Sequence, residues 1–182
     1  MKKSLFCVVF LCAAALYAGD TRAMALDICL IIDGSSAVSH TKDAIVAWVS
    51  ETIIDNMVQN DDKLTIWLVQ KETTLIFSEI LDSKGKNRAK TALKALNPAG
   101  TISNFDTALE AAGARVIDSR HIAYTLLVSG SISALSATLT GTQAASLRFS
   151  KTEDHHGWQS MVIATDISQR VRQAAAAYMA GR

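Results

Sequence analysis

The chain has 182 residues, 49% of them hydrophobic and 19% charged, with one proline and nine glycines. This suits one domain with its own core and excludes collagen-like, linker-like and disordered classes. A formal charge of +1 and 6% aromatic residues provide neither the basic excess nor the stacking surface of a nucleic-acid binder.

At the N-terminus, Lys2 and Lys3 precede an uninterrupted apolar run from Leu5 to Ala18. That run has the length of a signal h-region and falls short of the roughly 20 residues a membrane-spanning helix needs. Ala23-Met24-Ala25 is an A-x-A cleavage signature. Ala18 is the alternative cleavage point, with Leu16 at the position that favours a small side chain. Residues 1–25 are therefore expected to be a signal peptide and residues 26–182 the exported domain, periplasmic or extracellular, with no membrane span after cleavage. Two of the three cysteines leave with the signal. Cys29, alone in the exported part, can form no internal disulfide and reads as a small buried hydrophobe.

Leu26 to Ile32 is apolar and β-rich, a buried strand closed by the turn Asp33-Gly34-Ser35-Ser36. Thr41 to Met57 carries Ile45, Trp48, Val49, Thr52 and Ile53 at helical spacing and predicts one amphipathic helix. Leu64–Val69 and Thr73–Ile80, joined by Gln70-Lys71-Glu72, predict an antiparallel hairpin. Lys84 to Leu96 predicts a helix with Ala89, Leu93 and Leu96 inward and its basic residues solvated, ended by Asn97-Pro98-Ala99-Gly100. A helix over Phe105–Ile117 and a buried strand over Ala123–Val128 follow, the strand ending at Ser129-Gly130-Ser131. Residues 132–147 carry a weak helical pattern, Phe149 to Gln159 reads as a polar loop, Ser160 to Thr165 as the last strand and Ile167 to Met179 as a terminal helix. This alternation predicts an α/β, three-layer, Rossmann-like domain. Its central sheet would be mostly parallel, with one antiparallel edge strand and helices on both faces.

In such sheets ligands bind beyond the carboxyl ends of the strands. Three oxygen-rich loops are expected there, around Asp33-Gly34-Ser35-Ser36, Ser103-Asn104-Phe105-Asp106 and Ser129-Gly130-Ser131. A carboxylate with several hydroxyls suits a hard divalent cation, whereas helix N-termini nearby would suit an anion. The same residue types also serve as plain turn formers and N-caps.

The stretch LDICLIIDGSSAVSH resembles the first strand and metal-site loop of von Willebrand factor A domains, whose pattern is a hydrophobic strand, D-x-S-x-S and a long helix. Asn97 to Leu109 is similar to that family's glycine-threonine loop and following helix, and Tyr124 to Gly130 holds the place of its strand ending in Asp-Gly. The resemblance spans residues 26–182 and implies a vWA-type fold and a metal-ion-dependent adhesion site. Carried across, Asp33 and Ser35 match the site. Ser103 fills the Thr position, with Thr101 as its rival, and Ser129 stands where a second Asp is usual. Ala37 replaces the second Ser, so one direct ligand and one charge are missing. The resemblance thus implies a degenerate site for Mg²⁺ or another divalent cation, weak or absent, with Asp33, Ser35, Ser103 and Ser129 as its metal residues. Asp106 could add a carboxylate or simply cap its helix.

Other constellations are weaker. Glu153, Asp154, His155 and His156 read as a solvated loop, His40 as a helix-entry residue and His121 as an exposed polar connection. No G-x-S-x-G, P-loop or G-x-G-x-x-G occurs. Trp48 and Trp67 fall on core positions, and Trp158, in a polar stretch, is the candidate surface contact. The leading expectation is a non-enzymatic, exported module that binds a protein partner at the loop rim. The alternatives are a small exported hydrolase or phosphoryl-transfer enzyme using Asp33, and a metal-independent structural subunit of an envelope complex pairing through the Thr73–Ile80 edge.

Overall fold

A computed structural model describes residues 22, 24–119, 121–131, 135, 148–155 and 157–165. The expected signal segment lies almost wholly outside these residues, as do most of the 132–147 segment and the expected terminal helix.

Strand β1 (Leu26–Asp33) is buried along its whole length and occupies the middle of a six-stranded sheet. It pairs in parallel with β2 (Lys63–Val69) on one side and with β4 (Ile122–Ser129) on the other. Strand β3 (Thr73–Ile80) adds to β2 as the expected antiparallel hairpin. Beyond β4 lie β6 (Trp158–Thr165) and then β5 (Arg148–His155), giving the order β3-β2-β1-β4-β6-β5. The fold is α/β with a mixed sheet.

The expectation of a mostly parallel sheet with one antiparallel edge is thereby corrected, because β4–β6 and β5–β6 are also antiparallel. The cause is the segment expected as a polar loop. It forms β5 and turns back so tightly that His155 lies opposite Trp158, with Gly157 at φ +87°, a conformation only glycine adopts freely. The sequence of β5, RFSKTEDH, has Phe149 as its one apolar residue, so the period-2 apolar signal that marks a strand is missing.

Alternation along β1 divides the core. Ile28, Leu30 and Ile32 join one cluster with Val38, Ile45, Val49, Ile53, Ala89 and Leu93. Cys29 and Ile31 join another with Phe105, Ala108, Ala112 and Leu127. The first cluster is supplied by the helical run after β1 and by α2 (Ser83–Lys94), the second by α3 (Asp106–Asp118). Burial pushes the Cys29 thiol up to about 12, which makes it inert and agrees with its reading as a core residue.

The single helix expected over Thr41–Met57 is three pieces: a 3₁₀ segment (Ser36–Thr41), α1 (Lys42–Trp48) and a widened π-type stretch (Val49–Met57). Its last turn closes from the Val58 N–H onto the Ile53 carbonyl, five residues back, at 2.8 Å. Ile53, Ile54 and Val58 around that turn are all buried. Trp158 is also corrected. It is a buried residue opening β6, and its ring meets Trp48 edge-on with centroids 5.2 Å apart.

Candidate functional site

β1 ends by delivering Asp33 to the carboxyl edge of the sheet, where it is only 2% exposed. A buried carboxylate needs donors for its oxygens, and three loops supply them. The Ser35 N–H folds back onto Oδ1 at 2.8 Å, closing an Asx turn directly after the strand. From the segment before α3, the Ser103 hydroxyl donates to the same oxygen, and its Oγ also lies 3.2 Å from the Val69 carbonyl. From the end of β4, fully buried Ser129 donates its hydroxyl to Oδ2 at 2.6 Å, while its own Oγ accepts the Ser131 N–H at 3.1 Å.

All four residues singled out from the sequence therefore meet at one carboxylate. Ser103, rather than Thr101, provides the hydroxyl that reaches Asp33, and Thr101 is exposed. Ala37 is exposed and brings no oxygen ligand. Asp106 is exposed on the first turn of α3, and its N–H donates to the Asn104 side chain at 3.1 Å in an Asx turn leading into the helix, whose N-cap position is Phe105 with no side-chain cap. Glu153, Asp154 and His155 belong to β5 instead of a loop, and His156 lies outside the described residues.

The residue that sequence reasoning missed is Gln70. It lies in the hairpin turn as expected, and it also ties the loops together. Its Nε2 donates to the Gly34 carbonyl at 3.1 Å and the Asn97 carbonyl at 3.0 Å, and its own carbonyl accepts the Asn104 N–H at 3.0 Å. Backbone bonds complete the clamp: Gly34 N–H to Val69 carbonyl at 2.6 Å, Gly100 N–H to Gly34 carbonyl at 3.0 Å and Ser36 N–H to Gly100 carbonyl at 2.7 Å. The approach is so close that a Cβ on Gly34 would stand 2.6 Å from Gln70 Cγ and 2.9 Å from the Val69 carbonyl oxygen. The only hint in the sequence was the place of Gln70 directly after an inner strand.

Electrostatically the site is unbalanced. Asp33 accepts three hydrogen bonds from neutral donors, and among the described residues no ion pair reaches it. Nor do the described residues contain a cluster of three or more His, Cys, Asp or Glu. The side-chain groups that meet there, the Asp33 carboxylate and the Ser103 and Ser129 hydroxyls, are all oxygen, which suits a hard cation, while Ser35 takes part through its backbone N–H. The set carries one negative charge where such ions bind most tightly to several.

No protein-family model matches the chain, and no curated protein does. Solved structures do resemble it. A von Willebrand factor type A protein from Catenulispora acidiphila is 16% identical, with TM-score 0.46, covering 56% of this chain and 25% of that one. Proximal thread matrix protein 1 from the mussel byssus is 17% identical, with TM-score 0.41, over 52% of this chain and 25% of that one. The three N-terminal domains of the type V pili tip protein Mfa5 from Porphyromonas gingivalis are 15% identical, with TM-score 0.44, over 57% and 19%. This chain thus spans a quarter or less of each. Among the described residues, no helix is long and apolar enough to cross a membrane.

Proposed function

We propose that this chain is an exported, non-enzymatic binding module of the von Willebrand factor A type, a three-layer α/β domain whose ligand is another protein. Its partner surface is the rim of the three loops, and at its centre is a weak site for Mg²⁺ or another divalent cation. The observation that carries this reading is the meeting of Ser35, Ser103 and Ser129 at one buried carboxylate that has no cationic partner among the described residues. A buried charge is costly unless a counter-charge accompanies it, and a cation from solution would supply one. Asp33 would be the charged ligand, with the hydroxyls of Ser35, Ser103 and Ser129 as neutral oxygen donors. The fit is good in donor type and poor in charge, which favours weak affinity. Around this centre Ser36, Ala37, Thr101 and Asn104 are exposed, and Ile102, 63% exposed, gives a partner an apolar side chain to bury.

A hydrolase reading has less support, since both Asp33 oxygens are engaged and no Glu, His or Lys pairs with it among the described residues. The structural-subunit reading draws on one observation: β3 is an edge strand with Leu75 47% and Ile80 66% exposed.

The test is calorimetric titration of Mg²⁺, Mn²⁺ and Ca²⁺ into the protein and into its Asp33→Ala variant. Saturable heat that disappears in the variant supports the cation site. No heat, together with no cation-dependent rise in Tm, removes the cation from the proposal. The β3 edge would then be the first place to look for a partner.

A further inference from the structure

A second aspartate, Asp62, is 0% exposed at the start of β2, next to the opposite end of β1. Its Oδ1 accepts the Leu26 N–H at 2.7 Å, and its Oδ2 accepts the Gln59 N–H at 2.8 Å and the Arg22 guanidinium at 2.8 Å. Arg22 lies ahead of β1 and does more than pair with this charge. Its Nε donates to Gln59 Oε1 at 2.8 Å, and its Nη2 lies 3.4 Å from the Met57 carbonyl. One arginine from the segment before β1 therefore fastens the end of the π-type stretch and the turn at 59–62, and Asp62 in turn holds the first residue of the central strand.

We infer that Asp62 is a socket for this preceding segment, and that the leader is cut N-terminal to Arg22, so the mature protein keeps that residue. This rests on the export reading proposed above. The small-residue bond ahead of Arg22 is Ala18–Gly19. A leader peptidase would add water across that peptide bond, leaving the Ala18 carboxylate on the leader and the Gly19 ammonium on the mature chain. The Ala23-Met24-Ala25 signature would instead make buried Leu26 the first residue. The α-ammonium created there would stand where the Leu26 amide now donates, so Asp62 would retain a positive partner. The Gln59 side chain and the Met57 carbonyl would lose their bonds to Arg22, and the end of the π-type stretch would lose its link to Asp62 through that side chain.

The experiment exports the full chain from a bacterial host, recovers the extracytoplasmic protein and reads its N-terminus by sequential degradation and intact mass. A start at Gly19 is expected, and any start N-terminal to Arg22 supports the inference. A start at Leu26 overturns it and leaves the export reading intact. Recovery of only unprocessed chain overturns both. Arg22→Gln and Arg22→Lys in the same full chain test the socket itself. Leaving the buried Asp62 carboxylate without its partly exposed cation should lower Tm by on the order of 10 °C in Arg22→Gln, with partial recovery in Arg22→Lys. An Arg22→Gln protein that melts like the parent overturns the socket. If Arg22→Gln does not accumulate, Arg22→Lys decides, since a socket for the cation tolerates lysine better than glutamine.

Discussion

Asp33 and Asp62 sit near opposite ends of the same central strand, both buried and each accepting three hydrogen bonds, yet they are balanced differently. Asp62 is held by two backbone N–H groups and a guanidinium, so its charge is met within the chain. Asp33 is held by one backbone N–H and two hydroxyls, so its hydrogen bonding is met and its charge is not. The first arrangement is self-sufficient and serves folding. In the function proposed above, the second leaves an electrostatic demand at a loop rim for a partner or ion from outside. Burial and hydrogen-bond count alone would class the two as equivalent. The counter-charge tells them apart.

The comparison is tested most severely by Asp62→Ala, which strands Arg22 and removes the acceptors of the Leu26 and Gln59 N–H groups. Truncating a buried, hydrogen-bonded pair from one side costs about 3–5 kcal/mol, a large share of the stability of a domain of this size. Denaturant unfolding should show a midpoint far below the parent's. The next effect is at the clamp beside Asp33. Gly34→Ala places a methyl against Gln70 Cγ and the Val69 carbonyl oxygen, and only the first of these can move aside. Overpacking of this kind costs about 1–3 kcal/mol, measured in the same way. Replacing Gln70 with Ala alongside it should recover only part of the loss, because the Val69 contact is backbone.

Asp33→Asn should be milder than either. The amide keeps an acceptor for the Ser35 N–H, and the Ser129 hydroxyl can turn to accept from the new NH₂. A cost of about 1 kcal/mol or less in the absence of divalent cations is expected. If Asp33→Asn proved as damaging as Asp62→Ala, Asp33 would be a structural charge like its counterpart and the site proposal would lose its basis.

Much of this arrangement was legible in the residues. The apolar run of β1 and the D-G-S-S that closes it placed Asp33 and Ser35, and turn chemistry placed Ser103 and Ser129 at other loop ends. What pattern reading could not supply was contact between segments far apart in the chain. Gln70 looked like a turn residue because its partners, Gly34, Asn97 and Asn104, are contributed by two other loops. The contact of Arg22 with Asp62 had no signature in the pattern, because the two lie 40 residues apart. Strand β5 was missed for a different reason: apart from Phe149 its sequence RFSKTEDH carries no apolar side chain, and without alternating apolar residues periodicity carries no signal.

A third aspartate extends the comparison to the surface and gives the smallest effect. Asp82 caps α2 by accepting the Gly85 N–H, with Arg88 nearby, and it is exposed. The Gly85 hydrogen bond is the main force holding its carboxyl below the ordinary value of 3.8, and the Arg88 guanidinium adds to it. A carboxyl whose folded pKa is depressed adds stability above its unfolded pKa, and that stability fades as pH falls through the folded value. Asp82→Ala should therefore lower Tm at pH 7 by no more than a few degrees, a cap's worth screened by solvent. The gap between variant and parent should narrow as pH drops below about 4, the ordinary carboxylate range. Thermal melts of both proteins from pH 7 to pH 3 would show it. A gap that stayed constant would mean that Asp82 acts through its shape in the turn and not through its charge. In that case hydrogen-bond geometry, rather than ionisation, would set what this carboxylate contributes.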